Sequence, residues 1–98
     1  MSSDGGPEQS EVIASAVLAV PGVSSLHAGV MGEVATYLPG RRVNGIQVRE
    51  GECEVHLVLD WGVSILDTAD RVRTVVENLV TGPVHVTVED VAGPGPTP

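Results

Sequence analysis

Residues 43–91 read VNGIQVREGECEVHLVLDWGVSILDTADRVRTVVENLVTGPVHVTVEDV, and this stretch decides the fold. Its first part predicts two antiparallel strands, 43–49 and 53–61, because Gly51 in the connection suits the positive φ of a tight hairpin loop. Alternation of period two assigns the side chains of the second strand to two faces. The apolar face carries Cys53, Val55, Leu57, Leu59 and Trp61, and the other face carries Glu54, His56, Val58 and Asp60.

The second part of this stretch predicts a helix and a final strand. Ser64 followed by Asp67 is typical of a helix N-terminus, and Gly82-Pro83 ends a helix predicted to run to about Thr81. Its apolar stripe consists of Ile65, Ala69, Val72, Val76, Leu79 and Val80. The strand 84–91 alternates again, with Val84, Val86 and Val88 on the apolar face and His85, Thr87 and Glu89 on the polar face.

The residues before Val43 predict one helix, one strand and a long loop. The helix opens at Gly6-Pro7-Glu8 and ends at Pro21, with an apolar stripe of Val12, Ile13, Ala16, Val17 and Val20. A short strand is expected over 23–28. The glycines and the proline of 29–42 predict a loop, and a loop of this length is usually functional or mobile.

These elements predict an α+β fold, because each helix has one apolar stripe and each strand one apolar face. We expect a two-layer sandwich in which two helices pack on one face of a single mixed four-stranded sheet, in the order α-β-β-β-α-β. The strands 53–61 and 84–91 should be parallel, since a helix connects them. Residues 7–91 form a single domain, and the Gly-, Ser- and Pro-rich tails 1–6 and 92–98 are expected to be disordered.

Composition argues against several classes of function. The net charge of −8 opposes binding to phosphate backbones and anionic lipid, and the Arg41-Arg42 pair is too small to form a basic groove. We therefore expect no nucleic-acid partner. The single cysteine, Cys53, excludes an intramolecular disulfide and favours a reducing compartment. No signal peptide or membrane span is evident, so we expect a cytoplasmic protein without direct membrane insertion.

An ordered set of short motifs resembles the bacterial alkaline shock protein family, the envelope stress response proteins of Gram-positive bacteria. The motifs are Ile13-Ala14, Val20-Pro21-Gly22-Val23, the arginine-led segment 41–48, Gly51, Val55-Leu57-Leu59, Trp61-Gly62, a helix with Arg71, Val72, Val76 and Thr81-Gly82, and the closing segment 86–91. The valine-rich, all-arginine composition resembles actinobacterial proteins. The chain departs from the family in having Trp61 where tyrosine is expected, a shorter segment between Gly82 and Glu89, and no extended charged tails.

This resemblance implies a non-enzymatic cytoplasmic protein that serves cell-envelope homeostasis. The resemblance also implies that some members reach the inner face of the membrane through a membrane-anchored partner, and that some self-assemble. The resemblance implies no cofactor.

The residues themselves indicate no catalytic site. No nucleophile elbow or phosphate-binding loop is present, and Cys53 is expected to be buried in the core and inert. Trp61 is expected to turn inward and pack partly against the second helix. His56 and His85 share the polar face with Asp60 and Glu89, so a metal site is conceivable there. Because Cys53 faces away and no close-spaced ligand pair exists, solvated histidines are the favoured interpretation.

The leading functional hypothesis is a protein-protein interaction or scaffold module that binds a protein partner or itself. The expected contact surfaces are the polar sheet face, represented by Arg49, His56, Val58 and His85, and the loop from Met31 to Leu38. The alternative is a small-ligand or metal-binding domain that uses the histidine-bearing face.

Overall fold

Two helices and six strands follow one another along residues 6–93, the part of the chain that the computed structural model describes. The α+β class is confirmed. The elements are α1 (Gly6–Leu18), β1 (Val23–Leu26), β2 (Ala35–Leu38), β3 (Arg41–Asn44), β4 (Ile46–Arg49), β5 (Glu52–Asp60), α2 (Ile65–Glu77) and β6 (Val84–Ala92). The tails predicted to be disordered lie mostly outside the described residues, and at their inner ends Gly6 belongs to α1 and Ala92 to β6.

The expectation of a single four-stranded sheet is wrong, because the strands form one sheet of four and one of two. In the larger sheet β5 is central, and β6 runs parallel to it from Cys53 to Asp60, as predicted. β4 pairs antiparallel with the first half of β5, and β1 pairs antiparallel with residues 57–59. Since β6 occupies one edge of β5, β1 and β4 share the other edge, end to end.

Gly45 divides the strand predicted over 43–49 into β3 and β4. Its φ is +83°, and its carbonyl oxygen accepts a hydrogen bond from the His56 N–H at 2.9 Å. The Gly45 N–H instead donates to the carbonyl of Val34 at 2.8 Å. Gly45 therefore connects the larger sheet to the segment before β2, and the chain changes sheets at this residue.

The segment 29–42, predicted to be a loop, contains β2 and the start of β3. These strands form a hairpin in which Leu38 pairs with Arg41 across the two-residue turn Pro39-Gly40. Proline presets φ at the first turn position, and Gly40 supplies the positive φ of +76° at the second. The strand prediction failed here because the glycines and the proline of this segment outweighed the weak periodic signal of the four-residue strand β2.

One hydrophobic core joins both helices to the apolar face of the larger sheet. The predicted inward residues of β5, Cys53 through Leu59, are all buried. The helices contribute Ile13, Val17, Val72 and Val76 to the same core. Valine and leucine dominate because branched side chains pack well on a pleated surface.

Both helices differ from prediction at individual positions. Val12 lies in the predicted stripe of α1 but is 55% exposed, because the buried stripe follows Ile13, Val17 and Val20. α2 ends at Glu77 with Asn78 as its C-cap, earlier than the predicted Thr81. Consequently Leu79 lies beyond the helix and is partly exposed.

The prediction that Trp61 packs inward is wrong. β5 ends at Asp60, so the alternation that buries Leu59 does not reach position 61, and the Trp61 side chain is 65% exposed. Gly62 then turns the chain with φ +90° towards α2. An aromatic side chain therefore remains at the surface at the end of the central strand.

Candidate functional site

The face of the larger sheet that points away from both helices is the surface on which the predicted contact residues lie. We call it the outward face. Its side chains are all exposed or half-buried in the described structure, in contrast to the buried residues that alternate with them along β5. It comprises Gln47, Arg49, Glu52, Glu54, His56, Val58, Asp60, His85, Thr87, Glu89 and Asp90.

All four residues predicted for this surface are placed on it. Arg49 of β4 pairs with Glu52 of β5, and His85 of β6 lies opposite Glu54. His56 and Val58 belong to the central strand between them. The register of three strands thus brings side chains that are up to 36 residues apart in sequence onto one surface.

His56 is held between two carboxylates at the centre of the outward face. Its Nδ1 lies 2.6 Å from Oε2 of Glu89, and its Nε2 lies 3.5 Å from Oε1 of Glu54. The side chains of His56 and Glu89 are only 15% and 18% exposed. The short contact is a hydrogen bond between the Nδ1 atom of His56 and the carboxyl group of Glu89. The ring is therefore fixed in orientation by its neighbours.

A second, more exposed contact between a histidine and a glutamate extends this polar arrangement towards the edge of the sheet. Nε2 of His85 lies 3.1 Å from Oε1 of Glu52, and both side chains are more than half exposed. Arg49 donates a hydrogen bond to Oε1 of Gln47 at 2.9 Å. Exposed pairs of this kind contribute little to the stability of the fold. Their main effect is on the polarity of the surface.

The outward face is predominantly acidic. It carries five carboxylates, those of Glu52, Glu54, Asp60, Glu89 and Asp90, against the one guanidinium of Arg49. A cavity of about 260 Å³ lies at the Arg49 end, lined by Gln47, Arg49, Glu50, Glu52 and Glu54. The field at this surface therefore favours cationic groups over anionic ones.

The described residues form no arrangement suited to metal binding. Within 6–93, no group of three or more His, Cys, Asp or Glu side chains is placed to hold a metal ion. Cys53 lies on the opposite face of β5 and is buried. Burial, with a smaller contribution from Glu54, raises the pKa of the Cys53 thiol from 9.0 to about 11. The thiol is therefore protonated and shielded at neutral pH, which makes it a poor nucleophile.

The second predicted contact surface, Met31 to Leu38, is only partly a loop. Val30 and Met31 are exposed at its start, where the Met31 N–H donates to Oε1 of Glu33 at 2.9 Å. From Ala35 onward the chain is strand β2, and Leu38 is buried. The segment therefore consists of an exposed apolar start at Val30 and Met31, followed by strand β2, and is not the uniform loop that was expected.

The arginine pair at the start of β3 is engaged within the protein. Nε and Nη2 of Arg41 lie 2.7 and 2.6 Å from Oε2 of Glu11, which ties β3 to α1. The guanidinium of Arg42 lies 5.7 Å from the centroid of the Tyr37 ring, within cation–π range. The two charges are therefore committed to different neighbours.

A groove between α2 and the outer edge of β6 is not predicted from the sequence. Leu66 is 82% exposed in the lining of this groove, although Thr68, two positions further along α2, is buried. The sequence signal that could have revealed it is the position of Leu66 outside the predicted apolar stripe of α2. A single exposed apolar residue is common at protein surfaces, so Leu66 indicates a contact surface only in combination with the groove beside it.

In comparisons with known proteins, no family model, no curated protein and no solved structure matches this chain. Neither helix of the described residues is both long enough and apolar enough to cross a membrane.

Proposed function

We propose that this protein is a non-catalytic interaction module that binds another protein through the outward face. The observation that supports this proposal best is an entire face of the larger sheet that is left uncovered by the described chain, while two helices pack on its other face. A sheet with one covered and one exposed face presents a broad and rigid surface, which suits macromolecular contact better than chemistry on a small substrate.

The polar contacts of the outward face support this role. His56 is fixed between Glu54 and Glu89, so binding would not have to immobilise a free side chain at the centre of the surface. Preorganisation of this kind lowers the entropic cost of association. Half-buried Val58, next to His56 on the same face, provides apolar area within the polar surround.

We further propose that the protein belongs to the alkaline shock protein family and acts in the cytoplasm in the bacterial envelope stress response. A membrane-anchored protein would bring it to the inner face of the membrane, and self-association is a second mode of contact. The motif order described above is the basis of this proposal. Gene neighbourhood tests it: an adjacent gene for a small membrane protein or a paralogue supports membership, and unrelated metabolic neighbours argue against it.

Site-specific photo-crosslinking tests the interaction role. A benzophenone amino acid at position 58 should yield a discrete covalent adduct in the source cells, whereas the same group at Leu18, exposed on α1, should not. The adduct partner is then identified and purified. Its affinity for the Val58→Glu variant should fall at least tenfold, while the Leu18→Glu variant should bind as wild type does.

The absence of any adduct from position 58, together with a strictly monomeric protein in light scattering, would exclude this function. An adduct from Leu18 of equal yield would place the contact on the helical side instead.

Binding of a small ligand at the histidine-bearing face is a second candidate, and the cavity beside Arg49 is the observation that favours it. A metal ion at this face would have fewer than three His, Cys, Asp or Glu ligands within residues 6–93. Titration with zinc, monitored through the imidazole resonances of His56 and His85, tests the metal-binding form of this idea directly. Shifts that saturate at micromolar zinc would support the idea, and unchanged resonances at millimolar zinc would eliminate it.

A further inference from the structure

The outer edge of β6, the one that faces away from β5, is an open edge of the larger sheet. Within residues 6–93, β6 pairs with β5 alone, so half of its backbone N–H and C=O groups have no neighbouring strand. Val86 and Val88 face the core side but remain half-buried, whereas their register partners Val55 and Leu57 are fully buried. An additional strand at this edge would cover apolar surface that the described chain leaves open.

A groove beside this edge has the dimensions and lining to receive side chains. It has a volume of about 630 Å³ and lies between α2 and β6. Leu66, Ala69, Asp70 and Arg73 recur at helical spacing along its helix wall, and Val84, His85 and Val86 form its strand wall. The most exposed of these apolar side chains is Leu66. One face of an added strand would therefore contact an apolar and partly charged helix surface.

The charges around the groove favour a basic occupant. Arg73 is paired with Asp70 and with Glu77, so its charge is compensated within α2. The groove lining as a whole carries two aspartates, Asp67 and Asp70, against the one guanidinium of Arg73, and the outward face on the other side of β6 carries further carboxylates. Cationic side chains would be attracted to both sides of this edge.

A second copy of this chain is a poor occupant. Two molecules with a net charge of −8 each repel one another, and antiparallel pairing of two β6 strands would bring further carboxylates to the same edge. In addition, the register of β6 shifts between its pairings with Leu57 and Val58. Such a bulge interrupts regular pairing and is a common protection of edge strands. Regular pairing is available only along 84–88.

We propose that an extended, basic segment of a partner protein adds to β6 as a new strand along residues 84–88. This inference rests on the proposed role as an interaction module and specifies where and with what chemistry the partner binds. Alternate apolar side chains of the segment fill the groove beside Leu66, and its lysine or arginine side chains lie towards the acidic outward face. Main-chain hydrogen bonds supply affinity, and the groove and charges supply selectivity.

The probe is a synthetic heptapeptide of alternating lysine and valine, acetylated and amidated, titrated into ¹⁵N-labelled protein. The amide resonances of Val84–Val88 should shift and saturate. Hydrogen exchange with solvent should slow for those amide protons of the segment that point away from β5. A matched peptide of alternating glutamate and valine should leave these resonances unchanged. The Leu66→Lys variant should bind the lysine peptide at least tenfold more weakly, and the Leu18→Lys variant, an equivalent change at an exposed leucine of α1, should bind it as wild type does.

Three results would overturn this inference. Shifts confined to outward-face residues such as Glu54 and His56 would show surface attraction without strand addition, and would leave the proposed function intact. Shifts of Val84–Val88 that depend on protein concentration without peptide would make a second copy the occupant. No shift in this segment at millimolar peptide would also reject the edge as a binding site, while crosslinking from position 58 tests the broader function independently.

Discussion

Individual residues in this protein matter where the backbone itself makes a close contact. At Gly45 a Cβ atom would lie 2.6 Å from the carbonyl oxygen of His56 and 2.9 Å from the Cβ of Leu26. Gly40 has a similar positive φ, but nothing lies within 4 Å of the position a Cβ would take there. Substitutions at these two glycines therefore distinguish the free-energy cost of a strained backbone from the cost of a close contact.

Replacement of Gly45 with alanine should lower the free energy of unfolding by roughly 2–5 kcal/mol, because backbone strain and overpacking add. Gly40→Ala should lower it by only about 1–2 kcal/mol, since backbone strain acts alone there. Urea unfolding followed by circular dichroism measures both values. Equal losses in the two variants would show that the contact with His56 has no energetic effect.

The buried thiol of Cys53 predicts a specific dependence of stability on pH. Its pKa is raised to about 11 in the folded protein, against 9.0 in the unfolded chain, so the folded state retains the proton more strongly. This contribution to stability is fully present below pH 9 and is lost as the pH rises from about 9 to about 11. The loss should amount to about 2–3 kcal/mol, the equivalent of two pKa units.

The Cys53→Ala variant provides the control for this prediction. Its free energy of unfolding should be lower than that of wild type at pH 8 because a cavity is formed, and the difference should shrink between pH 9 and pH 11. A difference that stays constant over this range would show that the thiol does not titrate as expected.

At the scale of elements, local signals at both ends explain why α2 forms where it does. Ser64 has an extended conformation, and its Oγ accepts a hydrogen bond from the Asp67 N–H at 3.3 Å. Asn78 closes the other end, where its N–H bonds to carbonyls of the last turn. The hairpin β2–β3 similarly depends on the turn residues Pro39 and Gly40. Elements with such terminal signals are specified locally.

The Ser64→Ala variant should be less stable than wild type by about 1 kcal/mol, because the Asp67 N–H loses its partner. The Ser64→Asp variant should retain most of the stability, since a carboxylate also caps a helix N-terminus. Ser15→Ala, at an exposed position inside α1, is the matched control and should change stability by less than about 0.5 kcal/mol. Thermal unfolding by circular dichroism distinguishes these outcomes.

At the scale of the whole molecule, two layers and one core define the protein. The inward residues of β5 belong to one hydrophobic core with residues of both helices, while its outward residues form a polar surface. One face of β5 therefore stabilises the core, and the other face is accessible to a partner. Val55 and Val58 represent the two sides within three positions of one strand.

Truncation of Val55 to alanine should lower stability by about 2–3 kcal/mol, because it removes two buried methyl groups and leaves a cavity. Truncation of half-buried Val58 should lower it by less than about 1 kcal/mol. Chemical unfolding of both variants measures this asymmetry. A larger loss for Val58 would mean that the outward face is covered within the protein itself.

The principal elements were predictable because their signals are local and repeated. The alternation of β5, the stripe and cap of α2 and the alternation of β6 extend over nine residues or more, so each was found. The placement of Arg49, His56, Val58 and His85 on one face followed from the same alternation. The strands β2 and β3 have four residues each, and the glycines and the proline of 29–42 gave their hairpin the composition of a loop.

The amino-acid sequence by itself determined which residues form the long strands and the helices, and which side of each faces the core, because side-chain period and capping act between near neighbours in the chain. Only the tertiary structure decided where the chain changes sheets at Gly45, that Trp61 stays exposed, and that β6 has an open edge with a groove beside it. These features depend on where strand pairing stops and on which elements lie next to each other, and both arise from contacts between residues that are distant in the chain.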